Sequence, residues 1–196
     1  MKLIFATHNE NKVHEIKKLI PKKIKLLSLH DIGFENEIIE NGNSMHENSH
    51  IKAKHIKSKY GLNCFADDSG LEVSSLNNEP GIFSSRYAGY PINSNKNIKK
   101  LLYNLSKFNN KSARFRTVLS LIIDKSVFNF EGVVNGSIND KVKGANGFGY
   151  DPVFIPKGFN KTFAEMSLKE KNLISHRSIA INKMILFLKK TINVTL

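Results

Sequence analysis

Phe65-Ala66-Asp67-Asp68-Ser69-Gly70 is the stretch from which both the fold and the chemistry can be argued. Two adjacent carboxylates, a hydroxyl and a glycine follow the short apolar run at residues 63–66, which predicts the end of a strand. Neighbouring carboxylates repel each other, so a fold tolerates them there when a cation or a proton lies nearby. A hydroxyl and a flexible backbone directly after them can approach a phosphate. These features favour a divalent-metal site for a phosphorylated ligand, with an acidic turn in water as the alternative.

The beginning of the chain supplies a second candidate phosphate site. Residues 2–6 are short and apolar, which predicts a buried strand. Thr7 and Glu10 have the spacing of a capping box, and the helix that follows should end at Pro21. A helix N-terminus carries free N–H groups and partial positive charge that suit a phosphate, and Lys12 would add a full charge. An ordinary capped helix with a solvated lysine is the alternative.

The rest of the chain mixes strands and helices, which indicates an α/β fold. The expected architecture is a mixed, partly antiparallel sheet flanked by helices, in a single domain over residues 1–196. Apolar patterns predict strands at residues 23–29, 35–40, 113–123, 127–134 and 153–155, with a hairpin turn at 124–126. They also predict helices at 44–60, 93–107 and 179–190, a capping box at Ser167 and a frayed end after Thr191.

Composition narrows the class of protein. No apolar run approaches the roughly 20 residues that a membrane span needs, and the first apolar stretch is too short for a signal peptide. The single cysteine, Cys64, cannot form an internal disulfide, which suits a reducing compartment. We therefore expect a cytoplasmic protein with no membrane partner, in which Cys64 is a buried small hydrophobe.

A net charge of +13 attracts polyanions, and because lysine is abundant throughout the chain, an interpretation that needs no partner stays open as well. Nucleic acid and nucleotides both qualify, but the chain has no nucleic-acid-binding motif and no stripe of aromatic and basic residues. His46 and His50 lie four residues apart without a cysteine or a third ligand, so we interpret them as solvated surface histidines. A nucleic-acid-binding module stays open as an alternative.

Several motifs, taken together in order, resemble one known family. They are residues 7–12 (family form T-x-N-x-x-K), 65–71 (FADDSGL), 80–89 (PGIFSSRYAG), 147–152 (GFGYDP), 162–166 (TFAEM), 170–172 (EKN) and 175–177 (SHR). In this order and spacing the chain, over residues 3 to about 190, resembles the inosine/xanthosine triphosphate pyrophosphatase family. That family hydrolyses non-standard purine nucleoside triphosphates to the monophosphate and pyrophosphate. The resemblance implies two lobes around an active-site cleft, a Mg²⁺ cofactor and a homodimer without a stable nucleic-acid partner.

The resemblance also implies roles at the phosphate end of the nucleotide. The T-x-N-x-x-K segment would hold the triphosphate, through Thr7, His8, Asn9, Glu10, Asn11 and Lys12. Lys52 and Ser69 would add phosphate contacts, and Glu40 and Asp68 would be the Mg²⁺ carboxylates. Asp68 would also be the general base for the attacking water.

At the base end, the resemblance implies a pocket formed by Phe148, Gly149, Tyr150 and Asp151. Lys171, His176 and Arg177 would present donors to the purine 6-oxo group. Hypoxanthine and xanthine carry that oxygen, whereas adenine carries an amino group, so hydrogen-bond donors would select against adenine. A pyrophosphatase that acts on other modified or standard nucleotides is the second alternative.

One segment departs from the family pattern. The family form is close to E-T-G-x-T-F-x-E-N-A, and here residues 40–49 are ENGNSMHENS. The glutamates and the glycine are kept, while the residues between them differ.

Overall fold

A computed structural model describes residues 1–191 and confirms an α/β fold. Within these residues lie six strands: β1 (Lys2–Phe5), β2 (Lys25–Ser28), β3 (Cys64–Val73), β4 (Ser112–Ile123), β5 (Ser126–Ile138) and β6 (Phe154–Pro156). The α-helices are α1 (Glu10–Lys17), α2 (Met45–Tyr60), α3 (Ser94–Leu105), α4 (Leu168–Ile174) and α5 (His176–Thr191). The strands are ordered β2-β1-β3-β4-β5-β6 in one sheet. It is mixed as expected, because β1 pairs in parallel with β2 and β3 whereas β5 and β6 are antiparallel.

The chain divides into two compact units. The first unit contains residues 1–68, 117–132 and the chain from Arg177 onward, and the second contains residues 69–116 and 133–176. Strands β3, β4 and β5 each contribute residues to both units. The single domain expected over residues 1–196 stays a prediction.

The first unit is built around β1 and β3. Leu3 and Phe5 of β1 face a cluster that includes Val13 and Ile16 of α1 and the apolar residues of α5. Ile4 and Ala6 belong instead to a cluster with Ala53 and Ile56 of α2. Successive strand residues point to opposite faces, so the two clusters cover both faces of β1 and its apolar run is uninterrupted.

The second unit has its own apolar core. Leu71 and Val73 of β3 pack there with Phe115 of β4 and Phe154 of β6. Helix α3 covers this core with Ile98, Leu101 and Leu105, the apolar positions that its sequence pattern predicts.

Several predicted element boundaries were wrong. Residues 35–40 form no strand. The strand predicted at 127–134 is longer at both ends, as β5, and α5 begins at His176 rather than at 179. Helix α1 is capped by Asn9 rather than by Thr7, and it ends at Lys17, before Pro21. The fraying predicted after Thr191 lies outside the described residues.

Cys64 is fully buried, as predicted, and its Sγ lies 3.2 Å from the Ala53 carbonyl oxygen. Burial raises the pKa of the thiol to about 11, so the cysteine is neutral at physiological pH. No helix in residues 1–191 combines the length and the apolar character needed to cross a membrane.

Candidate active site

The two adjacent aspartates lie within a strand and not at its end. Strand β3 continues through both carboxylates to Val73, which corrects the predicted boundary. Cys64 and Phe65 of β3 pair with β1. Asp67 and Asp68 therefore follow the part of β3 that is paired with β1. Because side chains alternate along a strand, Asp67 and Asp68 face different partners. This alternation is how the first unit accommodates two neighbouring carboxylates.

The T-x-N-x-x-K segment forms the turn between β1 and α1. Asn9 is the N-cap, and its side-chain oxygen accepts a hydrogen bond of 3.1 Å from the Lys12 backbone N–H. The Asn9 backbone N–H in turn donates to Thr7 Oγ1 at 3.2 Å. Thr7 is buried, while His8, Glu10 and Asn11 are exposed. The result is an ordered helix N-terminus of the kind that binds anions.

Asp67 is the centre of a buried network of charges in the first unit. One carboxylate oxygen is 2.9 Å from Lys12 Nζ, and the other is 3.4 Å from Arg177 Nε. Arg177 also donates through Nη1 to Glu15 of α1. Burial by itself would raise the pKa of Asp67, but Lys12 and Arg177 outweigh it and hold that pKa well below the usual range. Burial lowers the pKa of Lys12, and the charge of Asp67 offsets part of that effect.

Asp68 faces helix α2. It is 7% exposed, and its Oδ2 accepts a hydrogen bond of 3.2 Å from Asn48 Nδ2. Burial raises the pKa of Asp68 above its usual value, Lys52 and Lys12 oppose the rise, and the nearby charge of Glu40 adds to it. Lys52 lies on the same helix and forms an ion pair of 3.0 Å with Glu40. The predicted metal carboxylates are therefore close enough to interact, with a lysine beside them.

These side chains fit Mg²⁺ better than they fit a metal with a full set of protein ligands. Within residues 1–191, no three His, Cys, Asp or Glu side chains are grouped to hold an ion. Two carboxylates are a sufficient protein contribution for Mg²⁺, which keeps several waters and takes phosphate oxygens from its substrate. His46 and His50 flank Glu47 at the spacing found in zinc-binding helices. Here the Glu47 carboxylate instead accepts a hydrogen bond from the backbone N–H of Asn43.

Six of the seven residues predicted to form the base pocket lie in the second unit, and the seventh, Arg177, lies in the first. Asp151 Oδ2 accepts hydrogen bonds from the Phe148 backbone N–H at 2.8 Å and from Lys171 Nζ at 2.6 Å. The Lys171 ammonium lies 5.2 Å from the centre of the Phe148 ring, a cation–π distance. Gly147 has a φ of +74°, and a Cβ there would lie 2.0 Å from Asp151 Oδ2. Glycine is therefore required for the loop to close on Asp151.

Two other predicted pocket residues are packed into the second unit. The Tyr150 hydroxyl donates to the Ser84 carbonyl oxygen at 2.9 Å, and burial raises the pKa of the phenol. The His176 ring is 3% exposed and stacks on Phe115 with ring centres 4.6 Å apart. Gly149 has a φ of +63°, which glycine adopts readily. Ser69 is half-buried in β3.

Sequence reasoning missed two residues that shape the first unit's site. Glu15 of α1 is 4% exposed, and a carboxylate that is buried to this extent requires a cationic partner. Asn48 is 1% exposed and contacts Asp68 directly. Nothing local in the sequence marked Glu15 as buried, and nothing marked Asn48 beyond its place in the E-N-A pattern.

The first unit thus combines a strand-to-helix turn that suits phosphate with two carboxylates and adjacent lysines, an arrangement typical of the nucleotide-hydrolase class of site. Residues 3–187 match the sequence profile of the Ham1 family, and the chain belongs to that family. This confirms the resemblance drawn from the motifs.

Individual relatives cover nearly the whole chain. A dITP/XTP pyrophosphatase from Christiangramia forsetii is 50% identical over 190 residues, which are 97% of this chain and all of the relative. The solved structure of a HAM1 protein from Coxiella burnetii is similar with a TM-score of 0.89 at 36% identity, covering 97% of this chain and all of the other. The Staphylococcus aureus Ham1 protein gives a TM-score of 0.88 at 36% identity, with 97% and 99% covered.

Proposed function

We propose that this protein hydrolyses non-standard purine nucleoside triphosphates, namely dITP, XTP and ITP, to the monophosphate and pyrophosphate. Membership of the Ham1 family and the printed activity of relatives such as the Christiangramia forsetii protein support the substrate class. The observation that carries the chemistry is the buried carboxylate of Asp68, with Lys52 and Lys12 near it and a helix N-terminus in the same unit.

The first unit binds the phosphates in this proposal. The phosphate oxygens contact Thr7 and Asn9 and accept hydrogen bonds from the N-terminal N–H groups of α1. Lys12 and Lys52 supply positive charge. Asp67 takes no proton from water because its two oxygens already bind Lys12 and Arg177, so it serves to hold the Lys12 ammonium in place.

Asp68 is the base. Its carboxylate is buried between Asn48 and the Lys52–Glu40 pair, where it can orient a water and accept its proton. The water oxygen forms a bond to the α-phosphorus while the bond from that phosphorus to the bridging oxygen breaks. Pyrophosphate leaves with the bonding electrons, and the proton passes to Asp68.

Glu40 and Asp68 are the residues that would hold Mg²⁺. When bound there, the ion supplies Lewis-acid stabilisation of the negative charge on the phosphates. Lys52 keeps Glu40 oriented through its ion pair, so that one helix supports the Glu40 carboxylate and borders Asp68.

The second unit recognises the base. The Phe148 ring offers a face for a purine, and the Asp151–Lys171 ion pair beside it supplies hydrogen-bonding groups. His176 is a further proposed donor to the 6-oxo group, and Arg177, which belongs to the first unit, is proposed for the same role from the family resemblance. We further propose that the enzyme is cytoplasmic and forms a homodimer.

A substrate panel tests the function. We expect Mg²⁺-dependent pyrophosphate release from dITP, XTP and ITP at rates well above those for ATP, GTP and TTP. Asp68→Asn should lower kcat by about 10²–10⁴-fold, the range that a general base contributes.

The matched control is Asp140→Asn, which removes a carboxylate whose side chain is 77% exposed and paired with Lys111. It should leave kcat unchanged. Full activity of Asp68→Asn would remove the proposed base. Equal rates for ATP and ITP would point to the broader pyrophosphatase, and salt-sensitive DNA or RNA binding without hydrolysis would point to the nucleic-acid module.

A further inference from the structure

One face of helix α2 contacts both of the proposed metal carboxylates. Asn48 and Lys52 are four residues apart, so their side chains lie on the same side of the helix. Lys52 pairs with Glu40 at 3.0 Å, and Asn48 donates to Asp68 at 3.2 Å. Asn48 is almost completely buried, so its amide must be hydrogen bonded at both ends.

The second partner of Asn48 fixes the orientation of its amide. The backbone N–H of Gly42 donates to Asn48 Oδ1 at 2.9 Å. A backbone N–H can only donate, so the side-chain oxygen must face Gly42 and the amide nitrogen must face Asp68. Asn48 therefore links the strand that carries Asp68 to the segment that carries Glu40, two residues before Gly42.

The close approach of that segment depends on Gly42. A Cβ at position 42 would lie 2.6 Å from Glu47 Cβ and 2.8 Å from Asn48 Oδ1. Glu47 adds a second hold on the segment, because its carboxylate accepts the Asn43 N–H at 2.7 Å. Helix α2 thus holds the backbone after Glu40 through the side chains of Asn48 and Glu47. It holds the Glu40 carboxylate through Lys52.

We propose that Asn48 is a positioning residue for magnesium binding, because its amide sets where Asp68 and the Glu40 segment lie relative to each other. The inference rests on the proposed function, since it assigns a role within the same site. Neighbours that orient metal ligands typically change metal affinity by about 10–100-fold when they are altered. Asn48 has the geometry of such a neighbour, with one bond to each of the two ligand-bearing segments.

Asn48→Asp is the most specific test. The new carboxylate has almost the same shape and can still accept the Gly42 N–H, but it cannot donate to Asp68 when both are ionised. We expect the dissociation constant for Mn²⁺, measured by electron paramagnetic resonance on the full chain, to rise by about 10–100-fold. In steady-state assays the activation constant for Mg²⁺ should rise similarly, while excess Mg²⁺ restores most of kcat.

Gly42→Ala is the second variant, in case the first does not fold. It leaves the Asn48 amide intact but pushes the Glu40 segment away, and it should also weaken Mn²⁺ binding. The matched control is Asn97→Asp in the second unit, where a buried asparagine accepts the Ala88 N–H at 2.7 Å and donates to the Ser85 carbonyl oxygen at 2.8 Å. That substitution should lower the Tm without changing the Mn²⁺ dissociation constant.

The outcomes separate this inference from the proposed function. If the wild-type protein binds Mn²⁺ and hydrolyses dITP, but folded Asn48→Asp binds Mn²⁺ as tightly as wild type, Asn48 has only a structural role and the inference is overturned. Absence of dITP and XTP hydrolysis by a wild-type protein that binds Mn²⁺ would overturn the proposed function alone. A wild-type protein that does not bind Mn²⁺, with or without a non-hydrolysable dITP analogue, would overturn the inference.

Discussion

Asp67 and Asp68 are neighbours in the chain, yet their environments shift their pKa values in opposite directions. Lys12 and Arg177 outweigh burial at Asp67 and lower its pKa, whereas burial dominates at Asp68 and raises its pKa. Such a divergence separates a permanently ionised counter-ion from a group that can take up a proton. The sequence indicated a site at this pair, but the division of roles depends on which cations lie on each face of β3.

Arg177 provides a test at this scale. It is 2% exposed and bonded to Glu15 and Asp67, so Arg177→Ala would leave two buried carboxylates without that cation. We expect a loss of about 3–5 kcal/mol in the free energy of unfolding, measured by urea denaturation at pH 7. If the sequence-derived role in base selection also holds, the ratio of kcat/KM for ITP over ATP should fall.

The two readouts are independent, because a ratio of rates does not depend on the folded fraction. Arg116→Ala is the control for stability: that arginine is 27% exposed and 3.7 Å from Glu72, so its removal should cost much less. A stable Arg177→Ala protein would contradict the buried network. A destabilised protein with an unchanged ratio would keep the network and remove Arg177 from base selection.

At the scale of elements, the sequence predicted the start of a helix correctly where a single capping side chain determines it. Ser167 and Glu170 form the capping box predicted for α4. Ser44 caps α2, but the Glu47 side chain, three residues on, accepts the N–H of Asn43 and so does not complete the capping box that its spacing predicts. Thr7 failed because Asn9 lies closer to the helix and takes the cap, leaving Thr7 to accept the Asn9 N–H. Strand β3 was predicted too short because polar residues usually end a strand, and here their charges are neutralised within it.

The cap of α4 gives a prediction of pH dependence. The Glu170 carboxylate accepts from Lys161 Nζ and from the Ser167 N–H and Oγ, which lowers the pKa of Glu170 to about 2. A depressed folded-state pKa means that its contribution is present above the unfolded pKa of about 4.3 and is lost as the pH falls towards 2. Glu170→Gln should therefore lose stability at pH 7 and show a smaller further loss between about pH 4.5 and pH 2 than wild type.

Urea midpoints followed by circular dichroism at pH 7, 4.5 and 2.5 would measure this difference. Glu35→Gln, at an exposed site before α2, is the control and should follow the wild-type pH dependence. Parallel pH curves for Glu170→Gln and wild type would show that the cap does not contribute through its charge.

At the scale of the whole molecule, the homodimer remains a prediction from the family resemblance. The second unit exposes large apolar side chains, with Tyr90 at 76%, Tyr103 at 71% and Ile92 at 58% exposure, and such surfaces favour association. We expect size-exclusion chromatography with light scattering to give twice the chain mass of 22.1 kDa. The net charge of +13 requires a buffer of at least moderate ionic strength for this measurement. A monomer at micromolar concentration would contradict the dimer.

The fold class and the motifs of the site could be predicted from the sequence because each depends on local patterns. Apolar patterns marked the strands of the hairpin, and the T-x-N-x-x-K spacing marked the turn between β1 and α1. The pairing of Glu15 with Arg177 could not be predicted, because these residues are 162 positions apart and nothing local connects them. The contacts of Glu40 could not be predicted either. Its ion pair with Lys52 and the Asn48–Gly42 hydrogen bond that holds its segment are evident only in the structure.

The first unit takes its opening segment from residues 1–68 and its closing helix from Arg177 onward. During translation, Lys12 and Asp67 leave the ribosome long before the arginine that completes their charge network. A partly made chain would therefore hold Asp67 without one of its two cations, and catalysis should begin only once α5 has docked. Premature termination anywhere before that helix would yield no partial enzyme, so proteolysis of the fragment, rather than residual turnover, is its expected fate.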